Sequence, residues 1–442
     1  MPSFLKSKQT TAKTTTIPPW LILANTDKHI YKVERLLSSR EATRYAARDA
    51  SHQIALKASE STQHDKSPVF KRSSQRKEGS AVDFVEYYGI TAGLHEDNRD
   101  LNRYTDIIPY DRTRIIVHDG SPPAVGDESE GKRHERYLNA NWVLEKFGHK
   151  WWIATQAPLR HTAHAFLSVM LQPSVRPPHV DLPLKDSKTR RVRTVVQLAR
   201  NVENGRKKAD AYFPSEVGRS VVVLAEHGWR APPLKVTLLA KKAIDEAHCI
   251  QSTVSVAPIK NATSHLAEGR HGTGVQDEDN HGQAIVFNHL LYLSWPDHGV
   301  PSPEDRLSLV HFIQLVDRIN RDTSQCPIHS AATTNHICEE LDPDPPIIVG
   351  CSAGIGRTGA FVALSSLLRK YGFLLPAAHP TIAPHVYTSP LGPIPSDPDL
   401  QDDLVLQEVD SLREQRPGMV ERKVQMSLIY EVLASVLASE SN

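Results

Sequence analysis

Residues 349–361 read Val-Gly-Cys-Ser-Ala-Gly-Ile-Gly-Arg-Thr-Gly-Ala-Phe, and this short stretch constrains the fold more than any other part of the chain. The apolar run 345–349 before it is typical of a buried strand, and the amphipathic run 357–364 after it is typical of a helix. A strand, a glycine-rich turn and a helix N-terminus form a cradle for an anion, because backbone N–H groups point inward and the helix dipole adds positive potential. We therefore predict a phosphate-binding loop at residues 351–357.

The loop carries two reactive side chains, Cys351 and Arg357. A helix N-terminus and a nearby cation favour the thiolate, which is the nucleophilic form of cysteine. The planar guanidinium can hold two phosphoryl oxygens at once, which lysine cannot do. The pattern predicts attack of sulfur on phosphorus to give a phosphocysteine, followed by hydrolysis. It predicts no metal and no cofactor, because the cradle and the arginine neutralise the phosphate.

Two other interpretations of the loop are open at this point. Gly354, Gly356 and Gly359 fit the dinucleotide-binding fingerprint G-x-G-x-x-G, but that fingerprint also needs an acidic residue about 20 positions further on. Residues 370–390 contain none. The other interpretation is a buried and chemically inert cysteine, which the nine-residue string 351–359 disfavours.

Strand-like and helix-like patterns follow one another from residue 81 to residue 438, and they predict an α/β fold with a central twisted mixed sheet flanked by helices. The predicted strands are Thr194–Leu198, Val221–Leu224, Lys235–Ala240, Ala284–Leu293 and Pro346–Val349. The predicted helices are Ala163–Leu171, Pro303–Ile319, Thr358–Tyr371, Leu404–Gln415 and Val424–Val436. We expect one domain over residues 81–438, with low-complexity insertions near 175–188, 267–283, 323–336 and 376–398.

Residues 1–80 differ in composition from this domain. They hold 15 Lys and Arg against 7 Asp and Glu, and we predict a basic, mostly disordered tail with a short helical pattern around Val33–Leu56. The first sixteen residues also fit a mitochondrial presequence, but a disordered tail is the favoured interpretation.

Whole-chain properties exclude some partners and point to a compartment. The net charge of +1 over 442 residues favours neither nucleic acid nor membrane as a partner. The sequence contains no run of about 18 apolar residues, so it predicts no membrane-spanning helix. Four cysteines do not make a disulfide framework, and they fit a reducing compartment, the cytoplasm or also the nucleus. The oligomeric state stays undetermined.

The stretch from Cys351 to Gly359 resembles the signature loop of the protein tyrosine phosphatases, a cysteine, five residues, an arginine and a Ser or Thr. Six further stretches resemble motifs of the same family in the same order, and the resemblance covers roughly residues 82–437. They are the substrate-recognition loop at 102–114, structural motifs at 137–141 and 154–159, a Glu- and Lys-bearing loop at 203–214, the acid loop at 295–301, and the glutamine loop at 413–425.

The resemblance implies roles in the reaction. Cys351 would be the nucleophile, and Arg357 would bind the phosphoryl group. Asp297 would protonate the tyrosyl oxygen and then act as a base toward water. Thr358 would donate a hydrogen bond to the sulfur. Gln425 matches the second glutamine of its loop and would help with the hydrolytic water.

The resemblance also implies substrate-binding residues. Tyr104 would line a pocket deep enough for phosphotyrosine and too deep for phosphoserine. Asp106 would accept N–H groups of the substrate peptide. Lys208 would pair with Asp297 when the acid loop closes, although a plain solvated lysine is an equal alternative. The loop between nucleophile and arginine would surround the phosphate with Ser352, Ala353, Gly354, Ile355 and Gly356.

Two positions depart from the family pattern. Gly350 stands where the family usually has a histidine, and we expect retained but altered activity. Glu421 stands where the family usually has the glutamine that positions water, and we expect slow hydrolysis of the phosphocysteine.

The function that follows is a protein-tyrosine phosphatase acting on phosphotyrosyl proteins, with a protein kinase as a candidate partner of the basic tail. The alternative is a catalytically weak phosphotyrosine-binding pseudophosphatase. Intact Cys351, Arg357 and Asp297 argue against it. A lipid phosphatase is disfavoured because residues 352–356 are all neutral, whereas lipid phosphatases usually carry basic residues there.

Overall fold

A computed structural model describes residues 17–24, 26–62, 84–118, 135–173, 177, 190–229, 231–259, 283–324, 341–381 and 388–439. The strands are β1 (Val117–His118), β2 (Glu135–Arg136), β3 (Ala140–Leu144), β4 (Trp151–Thr155), β5 (Thr194–Gln197), β6 (Val202–Glu203), β7 (Arg206–Lys207), β8 (Ser220–Val223), β9 (Leu234–Ile244), β10 (Cys249–Pro258), β11 (Ile285–Tyr292) and β12 (Ile347–Gly350). The α-helices are α1 (Pro19–Ala24), α2 (Asp27–Thr62), α3 (Phe84–Tyr87), α4 (Thr91–Leu94), α5 (Ala163–Leu171), α6 (Arg306–Arg321), α7 (Gly356–Lys370), α8 (Leu404–Gln415) and α9 (Lys423–Ser439). Short 3₁₀ turns cover Glu96–Leu101, Asp111–Thr113 and Pro303–Asp305.

An eight-stranded mixed sheet forms the centre of the domain, in the order β3-β4-β12-β5-β11-β10-β9-β8. The four central strands, β4, β12, β5 and β11, are parallel to one another. Strand β3 on one side and strands β10, β9 and β8 on the other pair with their neighbours in antiparallel fashion. The prediction of a mixed sheet flanked by helices is confirmed. The short pairs β1-β2 and β6-β7 lie outside this sheet.

Strand β12 lies in the middle of the parallel region because its side chains are apolar on both faces. Ile347, Ile348 and Val349 are all buried, as expected for a strand covered on both sides. Val349 pairs with Ala154 of β4 and with Val196 of β5. The strand therefore delivers the loop that follows it to the carboxyl edge of the sheet, where α/β proteins bind their ligands.

Helices cover the two faces of the sheet unequally. Helix α5 packs on one face in a cluster with Ile153, Val195 and Ile348. Buried side chains of α6, α7, α8 and α9 pack on the other face, together with Val349. The predicted bounds of α5 and α8 are confirmed, and α7 begins at Gly356, two residues before the predicted start.

The structure contradicts the predicted disorder over residues 19–62, whereas the predicted helical pattern around Val33–Leu56 lies within helix α2. Helices α1 and α2 are formed, and Leu21, Ala24 and Val33 are buried in the core that they share with α9. Arg44 Nη2 lies 2.6 Å from Asp410 Oδ1 and 2.6 Å from Glu414 Oε1, which fixes α2 to α8. The prediction was wrong because the carboxylates that pair with these arginines lie about 370 residues further along the chain.

The predicted insertions fall largely outside the described residues. Segment 267–282 and most of 175–188 and 323–336 are among those not described, as are residues 1–16 and 63–83. Of segment 376–398, residues 376–381 and 388–398 are described, and they form turns without helix or strand. This segment contacts the domain, since Ser389 Oγ donates to Glu414 at 2.7 Å and accepts from Arg40 at 3.1 Å. The boundaries of the single domain stay a prediction.

Candidate active site

The loop 351–356 turns its carbonyl groups outward and leaves its N–H groups facing the cradle. Ser352 O accepts from Ala157 N at 3.0 Å, and Ile355 O accepts from Val420 N at 3.2 Å. The carbonyls of residues 353 and 354 accept from Arg416 at 3.0 and 2.8 Å. Four successive carbonyls are therefore held by the surrounding protein, which is the geometry required to aim the amides at an anion.

Cys351 lies at the base of this loop and is buried. Its Sγ accepts the N–H of Gly354 at 3.2 Å. Gly354 has a φ of +73°, and a Cβ there would lie 2.1 Å from Thr155 O. Only glycine fits this position, because any side chain would meet both a strained backbone and the neighbouring strand.

A small cavity lies behind the nucleophile. A cavity lined by Cys351, Gly350, Gln197 and Tyr212 has a volume of about 20 Å³ for the centre of a water molecule, and one buried water needs roughly 10–15 Å³. Tyr212 Oη forms no hydrogen bond with any described residue, and burial raises the pKa of this phenol well above its ordinary value. A Cβ on Gly350 would lie 2.8 Å from Thr155 O, so the strand is also crowded here.

Arg357 is fixed by a bidentate ion pair. Its Nη1 and Nη2 donate to Glu203 Oε1 and Oε2, both at 2.7 Å, and Nη1 also donates to Leu198 O at 3.0 Å. Burial opposes the charged form, but the hydrogen bond to Glu203 and the charges of Cys351, Glu203 and Asp297 outweigh it, and the pKa of Arg357 is raised. The guanidinium is therefore a permanent cation with a fixed orientation.

Asp297 lies over the cradle in contact with two cations. Its Oδ2 is 2.7 Å from Lys208 Nζ, and its Oδ1 accepts from Arg357 Nη2 at 3.0 Å. Trp295 anchors the acid loop, since its Nε1 donates to Gly299 O at 3.1 Å and its ring is buried. Burial favours the protonated carboxyl, but Lys208 and the other nearby cations outweigh it and lower the pKa of Asp297.

The predicted pocket wall also approaches the loop. Tyr104 Oη lies 2.8 Å from Ser352 Oγ. The Ser352 hydroxyl donates to the carbonyl oxygen of Lys208 at 2.8 Å. Arg103 supports this wall by donating to Asp210 Oδ2 at 2.7 Å. Asp106 is exposed, and it forms no hydrogen bond or ion pair with the described residues.

Thr358 does not make the bond expected of it. Its Oγ1 is buried and has no hydrogen-bond partner among the described residues, so the predicted bond to the sulfur is not present in this structure. Gln425 is buried beside the loop, and a Cβ on Gly356 would lie 2.7 Å from Gln425 Nε2. Glu421 is exposed, with its nearest cation, Arg422 Nε, 3.9 Å away.

Arg416 is a residue of the site to which the sequence assigned no role. It is fully buried, and besides the two loop carbonyls it donates to Asn141 Oδ1 at 2.8 Å and Asn139 Oδ1 at 2.9 Å. No carboxylate of the described part of the chain contacts it, and burial lowers its pKa to about 10. It is a buried cation beneath the cradle. The Arg-Glu-Gln-Arg run did not distinguish it from a solvated charge at a helix end.

The described residues contain no group of three or more His, Cys, Asp or Glu side chains placed to hold a metal ion. None of their helices is both long and apolar enough to cross a membrane.

A mixed α/β domain with a cysteine, an arginine and an aspartate meeting at such a loop has the organisation of a cysteine-dependent phosphatase. A family model described as protein-tyrosine phosphatase matches residues 98–177 and 188–372. The chain therefore belongs to the protein-tyrosine phosphatase family, and the resemblance seen in the sequence is confirmed.

Individual relatives are more distant. The chain is 25% identical over 409 residues to the tyrosine-protein phosphatase non-receptor type ptp-2 of Caenorhabditis elegans, an alignment that covers 85% of this chain and 50% of the relative. It is 25% identical over 348 residues to the human tyrosine-protein phosphatase non-receptor type 18, covering 79% and 53%. The chain thus spans about half the length of these relatives. A solved structure described as "Structural basis of PTPN18 fingerprint on distinct HER2 tyrosine phosphorylation sites" has a TM-score of 0.47 and 22% identity, covering 79% of this chain and 87% of that chain.

Proposed function

We propose that this chain is an active protein-tyrosine phosphatase that hydrolyses phosphotyrosine in proteins through a phosphocysteine. The observation that carries the proposal is the convergence of three side chains on one cradle. Cys351 Sγ accepts an amide of the loop, and Asp297 Oδ1 lies 3.0 Å from Arg357 Nη2 at the same site. Family membership and the names of the relatives support the reaction class.

In the first step the thiolate of Cys351 attacks phosphorus. The S–P bond forms as the bond from phosphorus to the tyrosyl oxygen breaks, and Asp297 gives its proton to that oxygen. The loop amides and the fork of Arg357 bind the non-bridging oxygens, where charge is concentrated in the transition state. Glu203 holds the fork in position throughout.

Asp297 must carry a proton in this step, although its pKa is lowered in the ligand-free protein. The cations that lower the pKa of Asp297 are also the groups that a bound phosphate would neutralise. A phosphate dianion in the cradle takes over part of the charge of Arg357 and adds negative charge beside the carboxylate. Both changes favour the protonated carboxyl, so substrate binding prepares the acid.

In the second step water attacks the phosphocysteine. Asp297, now ionised, takes a proton from the water, and the S–P bond breaks to release phosphate and the thiolate. Gln425 lies against the loop at Gly356 and is the side chain available to orient this water. The hydroxyl of Thr358 has no partner among the described residues, and we assign it the donation of a hydrogen bond to the departing sulfur.

The substrate class follows from the wall of the pocket. Tyr104 is half-buried and fixed to Ser352, so its ring forms a rigid side against which a phosphotyrosyl ring can stack. Asp106 is exposed and has no partner among the described residues, so its carboxylate is available to accept N–H groups from a peptide. We propose phosphotyrosyl proteins as substrates, a role in signal transduction in the cytoplasm or nucleus, and a protein kinase as a partner.

The test is hydrolysis of p-nitrophenyl phosphate and of a phosphotyrosyl peptide in the presence of a metal chelator, with a phosphoseryl peptide of the same sequence for comparison. We expect turnover of the first two by the wild type and none by Cys351→Ser. Binding of the phosphotyrosyl peptide without turnover would instead identify a pseudophosphatase. Equal turnover of the phosphoseryl peptide would refute the role of Tyr104 in setting pocket depth.

A further inference from the structure

The hairpin turn between β9 and β10 touches both ends of the acid loop, and the residue that does so is His248. Its φ is +41°, in the left-handed region. That backbone is uncommon for a residue other than glycine, and such strain persists where the surrounding contacts require it. We therefore looked at what the His248 side chain contacts.

One ring nitrogen of His248 reaches two residues that flank the acid loop. Nδ1 lies 2.9 Å from Ser294 Oγ, immediately before Trp295, and 2.8 Å from Asp305 Oδ1, beyond the end of the loop. The contact with Ser294 Oγ is a hydrogen bond, and the contact of the same nitrogen with Asp305 Oδ1 is an ion-pair contact. The main chain adds a third contact, because Leu293 N donates to His248 O at 2.9 Å.

Asp305 is itself firmly held at the start of α6. Its Oδ2 accepts from Ser302 Oγ at 3.1 Å. Its carbonyl accepts from Ser308 Oγ at 2.7 Å and from Tyr292 Oη at 3.3 Å. The histidine therefore joins the entrance of the acid loop to a fixed point at its exit.

We propose that His248 is a positioning residue for the acid loop. Through its hydrogen bond with Ser294 and its ion-pair contact with Asp305, the ring links the residues on the two sides of the acid loop, in the arrangement that places Asp297 against Lys208 and Arg357. The inference rests on the proposed function, since it concerns delivery of the proton by Asp297. No role in contact with substrate is assigned to His248.

The expected effect is moderate because the His248 side chain is 42% exposed, and partly exposed ion pairs are screened by water. A contact that stabilises the arrangement in which the loop covers the site shifts the population of that arrangement by its own free energy. We expect loss of the side chain to lower kcat about three- to tenfold. KM should change less than kcat, because His248 is assigned no contact with substrate.

Two substitutions separate the side chain from the backbone. His248→Gly removes the imidazole and adopts a positive φ freely. His248→Asn also tolerates this φ and places an amide N–H near the position of Nδ1. His311 provides a matched control, because it lies 3.5 Å from Glu246 of the same hairpin turn, and His311→Ala leaves the contacts of His248 in place.

The decisive readout is the dependence of kcat/KM on the leaving group, measured with aryl phosphates whose phenols differ in acidity. A well-placed acid makes the rate nearly independent of the leaving group, whereas a displaced acid slows poor leaving groups most. We expect a steeper dependence for His248→Gly and a wild-type dependence for His248→Asn and His311→Ala. Urea denaturation of each variant would verify that the comparison is made on folded protein.

The outcomes separate this inference from the proposed function. A wild type that hydrolyses aryl phosphates, together with a His248→Gly variant of equal slope, would overturn the inference alone. A steeper slope in His248→Asn as well would also overturn it, because the N–H would then be irrelevant. A wild type without turnover would overturn the proposed function and this inference with it.

Discussion

Replacement of Arg416 by methionine tests whether the cradle is held in shape from beneath. Methionine keeps much of the apolar stem and removes the guanidinium. Four acceptors lose their donor, namely the carbonyls of Ala353 and Gly354 and the side-chain oxygens of Asn139 and Asn141. Each buried acceptor left unpaired costs about 1 kcal/mol or more, so we expect a loss of about 4 kcal/mol in the free energy of unfolding.

The same substitution should affect the rate, because two of the four acceptors belong to the loop itself. Each of these two carbonyls shares a peptide group with the next N–H of the loop. Without Arg416 these peptide groups can rotate, and their N–H groups would no longer point at the phosphate. Misplacement of one such donor lowers the rate about a hundredfold or more. We expect kcat/KM for p-nitrophenyl phosphate to fall by about that factor in Arg416→Met.

Arg413→Met is the matched control, because Arg413 lies in the last turn of α8, close in sequence to Arg416, and donates to the carbonyls of Met419 and Val420. Two lost partners predict a loss of about 2 kcal/mol and a rate within about fivefold of the wild type. Stability would be measured by urea denaturation, and rates at a temperature where both variants are folded. If Arg416→Met keeps its rate, or if both variants lose rate equally, the explanation of the cradle is wrong.

Three further predictions concern single side chains. Asp297→Asn should lower kcat by about a hundredfold or more, and it should abolish the decline of kcat on the alkaline side of the pH profile, because the protonated carboxyl is lost as pH rises; an alkaline limb that survives the substitution would assign it to another group. Gly350→Ala should destabilise the fold by about 1–3 kcal/mol in thermal or urea unfolding, since its Cβ would lie 2.8 Å from Thr155 O; unchanged stability would show that β4 moves freely. Glu408 has its pKa raised to about 8, chiefly by burial. The folded protein thus keeps a proton that the unfolded chain releases near pH ~4.3. The free energy of unfolding should fall as pH rises from about 5 to 8, by up to about 1.4 kcal/mol per pH unit. In Glu408→Gln this fall should be smaller. The same pH dependence of stability in the wild type and in Glu408→Gln would contradict the prediction.

The catalytic loop was predictable because its chemistry is local. A strand, a turn and a helix that are contiguous in sequence place Cys351 and Arg357 on one cradle, so the pattern of residue types sufficed. The sequence favoured an ion pair between Lys208 and Asp297 no more than a solvated lysine, because these residues lie on segments about 90 residues apart. The structure brings them to 2.7 Å.

Features that depend on distant partners were missed. Part of helix α2 was predicted as a helical pattern, but its packing on the domain was not, since nothing near it in sequence shows that Asp410 and Glu414 pair with its arginines. Strand β10 was not predicted because its polar residues interrupt the apolar pattern, although Val254 and Val256 are buried. The predicted hydrogen bond from Thr358 to the sulfur of Cys351 is absent from the structure. It depends on the orientation of one side chain, which no sequence pattern specifies.

The central claim is that the phosphoryl group passes through the sulfur of Cys351. It is tested most directly by mixing the protein with excess phosphotyrosyl peptide, quenching within milliseconds to seconds, and mapping phosphate onto peptides by mass spectrometry. We expect the peptide containing Cys351 to carry one phosphate during turnover and to carry none in Cys351→Ser. The phosphorylated fraction should be substantial if Glu421 stands at the position where the family resemblance implies a water-positioning glutamine. Turnover at the full wild-type rate with no phosphate on Cys351 at any time, or with phosphate on another residue, would contradict the account.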